Sequence, residues 1–377
     1  MANVLCLVSY KIFPAQLGGQ KGVALFYKYL SRFHNVTCVT VKGNDPGFAT
    51  YPVLNVLSNS PSRYLNILYF FTLRKIIREH KISCLILEHP YYGWLGILLK
   101  MFCGVKLVIH SHNIESHRFK TIGKWWWRIL WSYEKFVHGH ADLTFCITEE
   151  DRQYMIREFK IQPAFCSVIT YGIEWTSAPA KTERSAARTY LRNQYNLDEG
   201  TFVYLFNGTL DYQPNLVAVK NILDKVNPYL LSTGIRYKII ICGKNLPEVM
   251  NELKSYASRN IIYAGFVDDI SLYFKGADVF INPVSDGGGI KTKLVEALGY
   301  DLPAVSTVNG AIGVDPSLCN GKLLLSGNSE WQDFTENMKN AILIKEEIPG
   351  KYFDHFSWTN ISAKAAGEIT GISTITH

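Results

Sequence analysis

Short apolar segments alternate with helical patterns along both halves of this chain, and this alternation constrains its fold more than any other feature. In the first half the candidate strands are Val4 to Ser9, Val36 to Val41, Cys84 to Glu88, Leu107 to His110 and Leu143 to Ile147. In the second half they are Val203 to Phe206, Tyr237 to Cys242, Ile261 to Ala264, Val279 to Asn282 and Ala304 to Ser306. This pattern predicts an α/β protein whose parallel sheets carry helices on both faces.

The length of the chain predicts more than one domain. It has 377 residues, of which 47% are hydrophobic, and this is too much for a single core. The polar run from Ile173 to Arg188 is the best linker candidate, because it contains Ser177-Ala178-Pro179-Ala180. We predict an N-terminal domain at residues 1–180, a C-terminal domain at residues 181–350 and a tail at residues 351–377 that can pack on either domain, including by crossing back to the first.

The composition favours a cytoplasmic protein. The eight cysteines are scattered and never form a C-x-x-C pair, which indicates buried free thiols rather than a zinc site. The chain begins directly with a strand, without the pattern of a signal peptide. The longest apolar region, Tyr91 to Ile109, is interrupted by glycines and lysines, so it predicts a helix and a buried strand rather than a membrane span.

The net charge of +7 favours an anionic partner. A membrane surface, a phosphorylated substrate and nucleic acid all meet this condition, and charge alone does not choose among them. The chain has no RNP, zinc-finger or basic-zipper pattern, so we expect no nucleic-acid partner.

A glycine-rich segment, PVSDGGGIKTKLVE from Pro283 to Glu296, joins a predicted strand to a helical pattern. Glycines let backbone amides approach a ligand, and the first turn of a helix adds unpaired N–H groups. The segment therefore predicts a site for a phosphate-bearing ligand, and the alternative is a turn with solvated lysines. If the helix begins near Gly289, then Gly289, Lys293 and Glu296 share one face, and Glu296 lies roughly 10 Å along it, within reach of a ribose.

Two common nucleotide motifs are excluded by their spacing. A P-loop needs a second glycine where this segment has Ile290. No G-x-G-x-x-G follows the first predicted strand, so the usual dinucleotide fingerprint is also missing. A different mode of nucleotide binding is needed.

Five segments, taken in order, resemble the GT-B glycosyltransferases, and specifically the retaining, nucleotide-sugar-dependent enzymes of family 4. They are Pro14 to Gly19, His112 to Glu115, Phe206 to Asn215, Gly265 to Asp268 and Pro283 to Glu296. The resemblance covers nearly the whole chain. It implies two Rossmann-like, doubly wound domains facing a cleft, and a hexosyltransferase of polysaccharide biosynthesis, such as that of lipopolysaccharide or capsule.

The resemblance also implies a role for individual residues. It assigns Glu296 to the ribose hydroxyls, a task that suits a carboxylate accepting two hydrogen bonds. Its other donor-binding candidates are Gly18, Gly19, Asn207, Gly208, Gly243, Lys244, Val267, Asp286, Gly287, Gly288, Gly289, Ile290, Lys291 and Lys293. In this set the glycines of both loops meet the phosphates or the sugar, and Val267 and Lys244 border the base.

His112 is the candidate that the resemblance places near the transferred sugar, and with Glu296 it completes the predicted catalytic pair. It follows a strand, at the end where α/β folds bind ligands. A structural cap is the alternative reading, His110 and His117 compete for the same role, and Glu115 is either a partner or a surface acid. For a retaining transfer, the family suggests that a phosphate oxygen of the leaving group helps to deprotonate the acceptor.

Two departures from the family pattern concern the donor. Many members have a glutamate eight positions before the ribose-binding acid, where this chain has Gly288, and Asp286 is the nearest carboxylate. Many also have an Arg and a Lys after the first strand of the second domain, where this chain has Thr209 and Pro214-Asn215. Lys291 and Lys293 are therefore the candidates to neutralise the diphosphate.

No metal ion or cofactor is expected beyond the nucleotide sugar itself, which acts as a co-substrate. The chain contains no D-x-D motif, and Asp268-Asp269 is a contiguous pair in a predicted loop.

Two aromatic segments suggest contact with a membrane surface. Lys124 to Trp131 combines tryptophans with cations, and Tyr64 to Arg78 is a second aromatic and aliphatic segment that ends in basic residues. Such residues favour the headgroup region of a bilayer, which suits a glycan or lipid-linked glycan acceptor. Packing of these aromatics in the domain core is the alternative.

Two other functions remain open at this point. A nucleotide-sugar epimerase of the same architecture needs no acceptor, and a non-catalytic nucleotide-sugar-binding protein would be consistent with the missing glutamate at Gly288.

Overall fold

The computed structural model describes residues 1–15 and 18–374. Gln16 and Leu17 of the N-terminal loop motif lie outside the described residues, as do the last three residues of the predicted tail. The chain divides into two compact units. The first comprises Met1–Gly172 together with the C-terminal segment from Phe356, and the second comprises Ile173–His355.

Strands and helices alternate through both units. The strands are β1 Asn3–Leu7, β2 Asn35–Val41, β3 Val53–Leu57, β4 Cys84–Glu88, β5 Lys106–Ser111, β6 Leu143–Cys146, β7 Cys166–Val168, β8 Phe202–Asn207, β9 Tyr237–Cys242, β10 Ile261–Gly265, β11 Val279–Asn282, β12 Ala304–Thr307 and β13 Leu323–Ser326. The α-helices are α1 Gly18–Leu30, α2 Leu68–Glu79, α3 Gly93–Cys103, α4 Glu115–Thr121, α5 Trp127–His140, α6 Glu149–Tyr154, α7 Lys181–Tyr195, α8 Gln213–Asn221, α9 Asn227–Leu231, α10 Ile270–Gly276, α11 Thr292–Gly299, α12 Trp331–Ala341, α13 Gly350–Phe356 and α14 Trp358–Thr374.

The first unit contains a parallel sheet with the strand order β3-β2-β1-β4-β5-β6-β7. Its central strands are apolar along their whole length, and all five residues of β4 are buried. The order changes direction between β1 and β4. In open α/β sheets this switch point is where ligands bind, next to the carboxyl ends of the strands.

The second unit contains a parallel sheet with the order β10-β9-β8-β11-β12-β13. Its switch point lies between β8 and β11. Helices α8 and α12 bury apolar residues against the same core as strands β8, β9 and β11. The predicted α/β class with two Rossmann-like units is therefore confirmed.

One predicted boundary is wrong. Helix α11 begins at Thr292 and not near Gly289, because the preceding residues are not helical. Gly287 and Gly289 have φ values of 92° and 70°, and Lys291 is extended. Gly289 therefore does not share a helical face with Lys293 and Glu296, although the two charged residues remain one turn apart on α11.

Two smaller predictions are confirmed by the structure. The apolar region from Tyr91 to Ile109 forms α3 and β5, and none of the described helices is long and apolar enough to cross a membrane. All eight cysteines are free, and seven of them are buried.

Candidate functional site

The glycine loop, residues 283–291, connects β11 to α11 at the switch point of the second unit. Asn207 ends the neighbouring strand β8, and Gly208 follows it. Because parallel strands end at the same edge of a sheet, the structure brings Asn207 and Gly208 to the edge where the glycine loop lies. The buried Oδ1 of Asn207 has no hydrogen-bond partner among the described residues.

Lys291 braces the glycine loop from within. Its Nζ donates to the carbonyl oxygens of Gly287, Gly288 and Gly289 at 3.0, 3.0 and 2.8 Å. Three carbonyls match the three donors of an ammonium group. Lys291 therefore holds the loop in shape, a role that sequence reasoning did not foresee.

The conformation of the glycine loop requires glycine at position 287. Its φ of 92° is strained for other residues, and a Cβ there would lie 3.1 Å from the ring of Pro214. Asp286 is exposed, and its Oδ1 accepts a hydrogen bond from the Gly287 amide at 2.7 Å. The side chain of Asn309 donates to the Gly287 carbonyl at 3.2 Å.

Lys293 lies in a different environment, against the end of β8. Its Nζ donates to Oδ1 of Asn215 at 2.9 Å and sits 4.1 Å from the centroid of the Phe206 ring. Enclosure by the protein and, to a lesser degree, the charge of Lys291 hold the pKa of Lys293 well below its usual range. Both of these contacts are with neutral groups, so an anionic ligand would supply a counter-charge.

Glu296 lies three residues after Lys293 on α11 and is partly buried. Residues three apart on a helix point to the same side. The structure thus places Glu296, the residue predicted to bind the ribose, one turn after Lys293 on the helix that follows the glycine loop. Ile290, just before α11, is also partly buried.

The loops after β8, β9 and β10 touch through their backbones. The amide of Gly208 donates to the carbonyl of Cys242 at 3.1 Å, and the amide of Gly243 donates to the carbonyl of Gly265 at 2.7 Å. A Cβ at Gly243 would lie 2.0 Å from the Gly208 carbonyl oxygen, so only glycine fits there. Lys244 and Val267 follow these strands at the same edge of the sheet and are partly buried.

In the first unit, Gly18 and Gly19 begin α1 beside the switch point between β1 and β4. The first turn of α1 has no acidic residue, and a Cβ built on Gly19 meets no described atom within 4 Å. The described residues therefore leave space beside Gly19, and the partial positive charge of a helix N-terminus favours an anion.

The histidine cluster, consisting of Glu88, His89, His110 and His112, lies at the ends of β4 and β5. Oε1 of Glu88 accepts from Tyr27 Oη at 2.5 Å and contacts His110 Nδ1 at 3.0 Å, and Oε2 contacts His112 Nε2 at 2.5 Å. Burial acts to raise the pKa of Glu88, but the charges of and hydrogen bonds from His110 and His112 outweigh it and hold the pKa well below its usual range.

A second buried acid extends this cluster. Glu115, at the start of α4, contacts His89 at 3.1 Å and accepts from Tyr91 Oη at 2.6 Å. Its burial is outweighed by His89, Arg118 and Tyr91, which lower the pKa of Glu115 to about 2. Glu115 is therefore a partner of the cluster and not a surface acid.

Glu134 of α5 fixes the beginning of α4. Its two carboxylate oxygens accept the amides of Glu115 and Ser116, each at 2.8 Å. Burial raises the pKa of Glu134 to about 7, although these hydrogen bonds oppose the rise. The segment that follows His112 is thus anchored by a buried carboxyl group.

Sequence reasoning missed Glu88, His89, Tyr27 and Glu134. The position of Glu88 and His89 carried a usable signal, because both stand at the carboxyl end of a predicted strand, as His112 does. His89 also has a φ of 66°, an uncommon value that costs about 1–3 kcal/mol and often marks functional sites. His117, the other candidate for the role of His112, packs instead on Tyr154, with 4.5 Å between the two ring centroids.

Three residues of the histidine cluster have the donor types that can hold a metal ion. Glu88, His110 and His112 each offer one ligand atom, and these atoms lie within 4.8 Å of one another. In the structure the Glu88 carboxylate oxygens already accept the hydrogen bonds described above.

Comparison with known protein families gives two matches. The family described as Glycosyltransferase Family 4 matches residues 18–175, and the family described as Glycosyl transferases group 1 matches residues 201–343. The two matches cover the two predicted halves of the chain in turn.

Two similar proteins of Escherichia coli have named activities. One is a UDP-Gal:alpha-D-GlcNAc-diphosphoundecaprenol alpha-1,3-galactosyltransferase, 26% identical over 63% of this chain and 61% of its own length. The other is the O-antigen biosynthesis glycosyltransferase WbnH, 24% identical over 71% of this chain and 70% of its own. The match therefore spans less than two thirds of the first relative.

Similar solved structures share the fold over nearly the whole chain. A glycosyltransferase from Rickettsia africae has a TM-score of 0.76 at 14% identity, covering 100% of this chain and 99% of its own. HepE from Anabaena, in complex with UDP and glucose, has a TM-score of 0.71 at 15% identity, covering 98% and 100%.

Proposed function

This chain belongs to the glycosyltransferases of family 4 and group 1 with the GT-B fold, and we propose that it moves a hexose from a UDP-sugar to a lipid-linked glycan with retention of anomeric configuration. The product would enter the assembly of a surface polysaccharide. This choice of donor and acceptor follows the galactosyltransferase to which the chain is similar.

The enclosed ammonium of Lys293 is the observation that carries the proposal. Burial and, to a lesser degree, the charge of Lys291 lower the pKa of Lys293, which means that the unliganded protein tolerates its charge poorly. A diphosphate at the glycine loop would stabilise the charged form, and Lys293 in turn would stabilise the negative charge on the departing nucleoside diphosphate.

The residues around Lys293 fit the rest of a donor. The carboxylate of Glu296 suits the two hydroxyls of a ribose, which donate hydrogen bonds. Three successive residues of the glycine loop, Gly287-Gly288-Gly289, have no Cβ, so their backbone amides can closely approach a ligand. Because Gly288 stands where many family members have a glutamate, the sugar would be oriented by Asp286, by the loop amides and by the first unit.

The first unit supplies the acceptor side in this proposal. His112 would contact the donor sugar or the acceptor hydroxyl, and α1 would meet the phosphates through Gly18 and Gly19. In a retaining reaction, the bond between the anomeric carbon and the diphosphate breaks, and the acceptor oxygen bonds to that carbon on the same face. The acceptor proton passes to a phosphate oxygen of the leaving group. Such a step needs no side-chain base beside the acceptor.

Contact with an anionic membrane surface is part of the proposal. Helix α3 packs against both α2 and α5, and exposed apolar and cationic residues lie on these helices and in the turn before α5. We refer to them as the apolar, cationic surface: Leu68, Phe71, Lys75, Met101, Phe102, Trp125, Arg128 and Ile129. Trp125 is 82% exposed, so it does not pack in the core. Exposed aromatics among cations favour the headgroup region, where a lipid-linked acceptor would be presented.

Ligand-induced stabilisation tests the donor. UDP-, GDP- and ADP-sugars would be compared with EDTA present throughout, because a ligand that binds the native state raises the melting temperature by mass action. We expect UDP-sugars to raise it without added metal, and Glu296→Ala to reduce the rise. No response to any sugar nucleotide would contradict the proposal, and a response that requires Mg²⁺ or Mn²⁺ would contradict its metal-independence.

Product analysis separates the proposed transferase from the two competing functions. A transferase needs an acceptor, whereas an epimerase converts its nucleotide sugar alone. A protein that binds UDP-sugars but yields no product with any lipid-linked acceptor would support the binding-protein alternative, which the backbone at Gly288 favours.

A further inference from the structure

We propose that Glu88 is the positioning residue for His112: its carboxylate fixes the imidazole with the proton on Nε2, so that Nδ1 is the nitrogen that meets the sugar or the acceptor. This inference rests on the proposed transferase function. It adds which atom of His112 acts and which buried group determines this.

The strand register brings the two residues together. Glu88 is the last residue of β4 and is paired with His110 on β5, and His112 follows two positions later. Oε2 of Glu88 contacts His112, whereas Oε1 contacts Tyr27 and His110. One oxygen is thus committed to His112.

The direction of each hydrogen bond follows from the charge of the acid. Glu88 is 2% exposed, and its two oxygens lie within hydrogen-bond distance of Tyr27 Oη and of one nitrogen of each imidazole, an arrangement that a carboxylate satisfies by accepting all three. An ionised carboxylate only accepts hydrogen bonds. Tyr27 Oη, His110 Nδ1 and His112 Nε2 must therefore all donate, which places a proton on Nε2 of His112.

Ring packing keeps His112 from reversing this orientation. The ring of His89 stacks on it at 4.6 Å with an interplanar angle of 30°, and the ring of His110 lies 4.7 Å away on a tilted plane. No hydrogen bond of the described residues uses Nδ1 of His112. That nitrogen is left to meet a ligand, as an acceptor when the imidazole is neutral.

Exposure distinguishes His112 from its neighbour. The side chain of His112 is 16% exposed, and that of His110 is 3% exposed. Nε2 of His110 is buried without a hydrogen-bond partner among the described residues. His110 therefore serves as a second donor that holds Glu88 in place, and His112 is the imidazole that a ligand can reach.

Nitrogen-15 NMR of histidine-labelled protein tests the tautomer without any activity measurement. At alkaline pH we expect His112, assigned by loss of its signals in His112→Ala, to show a protonated Nε2 and an unprotonated Nδ1. A proton on Nδ1 with an unprotonated Nε2 would overturn the proposal. This measurement on the wild-type protein does not depend on whether any variant folds.

Glu88→Gln then tests the consequence for transfer. A glutamine has one accepting oxygen and one donating nitrogen, so it cannot accept from His110, His112 and Tyr27 as the carboxylate does. We expect kcat to fall about 100-fold, with an unchanged KM for the donor and a changed nitrogen-15 pattern at His112. Glu150→Gln is the matched control, because it makes the same substitution at an exposed acid of the first unit, and it should preserve both the His112 tautomer and kcat.

The outcomes separate this inference from the proposed function. If Glu88→Gln changes the tautomer of His112 but leaves kcat as in the wild type, Glu88 does not position a group that matters for transfer. If the wild-type protein shows the expected tautomer but transfers no sugar, the proposed function fails while the assignment of the nitrogen atoms stands.

Discussion

At the scale of single residues, the two lysines of the donor region differ more than their sequence suggests. They stand two positions apart in the same segment, and sequence reasoning named both as candidates to neutralise the diphosphate. In the structure, Lys291 donates hydrogen bonds to three loop carbonyls, whereas Lys293 is enclosed beside the ring of Phe206. The difference arises from backbone geometry, because Lys291 precedes the helix in an extended conformation and Lys293 lies within it. No motif encodes that distinction.

The two lysines are expected to respond differently to substitution by methionine, which keeps the length of the side chain. Lys293→Met removes a poorly solvated charge, so we expect donor affinity to fall about 10- to 100-fold with little loss of melting temperature. Lys291→Met removes three loop hydrogen bonds, so we expect a lower melting temperature as well as weaker binding. Calorimetric titration with UDP and thermal unfolding would measure both. A Lys293→Met protein that binds UDP as tightly as the wild type would contradict the assigned role.

Among the site residues, sequence reasoning reached those that a motif marks and missed those that the sheet assembles. Gly287, Glu296 and His112 could be selected from local patterns. Glu88 could not be linked to His112, because the two residues are 24 positions apart and only the pairing of β4 with β5 brings them together. Glu134 gave no local signal, since its partners are backbone amides of another helix.

At the scale of elements, the sequence predicted the interior of both sheets and the edge strand β10, and it missed the other three edge strands of the described sheets. Strands β3, β7 and β13 were not predicted, and each is an edge strand. Edge strands are covered on fewer sides, so they do not need continuous apolar sequences, and β3 is only partly buried along most of its length. The interior strands are apolar because helices cover both faces. Helix α11 was predicted correctly in kind, but its start was placed too early because two left-handed glycines delay it.

The cap that Glu134 provides for α4 predicts a pH-dependent stability. The folded-state pKa is about 7, above the value of roughly 4.3 in an unfolded chain. The folded state therefore binds more protons between these values, and the contribution of Glu134 to the free energy of unfolding, present in full below pH ~4.3, is lost as pH rises through about 7.

Glu134→Gln removes this titration. The melting temperature of the wild type relative to Glu134→Gln should therefore fall between about pH 4.5 and 7.5. The exposed residue Glu150 offers a matched control, and Glu150→Gln should run parallel to the wild type over this range. Parallel curves for Glu134→Gln would show that the buried carboxyl group does not titrate as expected.

At the scale of the whole molecule, the two units divide the work in the proposed reaction. The second unit carries the glycine loop, Lys293 and Glu296, and the first carries the histidine cluster and the exposed aromatic residues. Length and strand alternation indicated two units, and the family resemblance implied their roles. The choice of sugar and acceptor could not be predicted, because it depends on the shapes of loops and not on the residues that define the fold.

The apolar, cationic surface of the first unit is expected to bind anionic vesicles. Phe71→Glu with Trp125→Glu should weaken binding to phosphatidylglycerol vesicles at least 10-fold, because both charges would face the headgroups. Leu343→Glu is the control, since Leu343 is 72% exposed but lies in the second unit. Sedimentation with vesicles measures all three proteins. Equal losses for the control and the double variant would contradict a specific membrane-facing surface.

Transfer of a labelled hexose from a UDP-hexose to a polyprenyl-diphosphate-linked N-acetylhexosamine tests the central claim most directly. The account predicts an acceptor-dependent product in EDTA whose new linkage keeps the α configuration of the donor, and a loss of about 100-fold or more in kcat/KM for Glu296→Ala. The configuration would be read from the anomeric coupling constant by NMR. An inverted product, or transfer that Glu296→Ala leaves unchanged, would contradict the account.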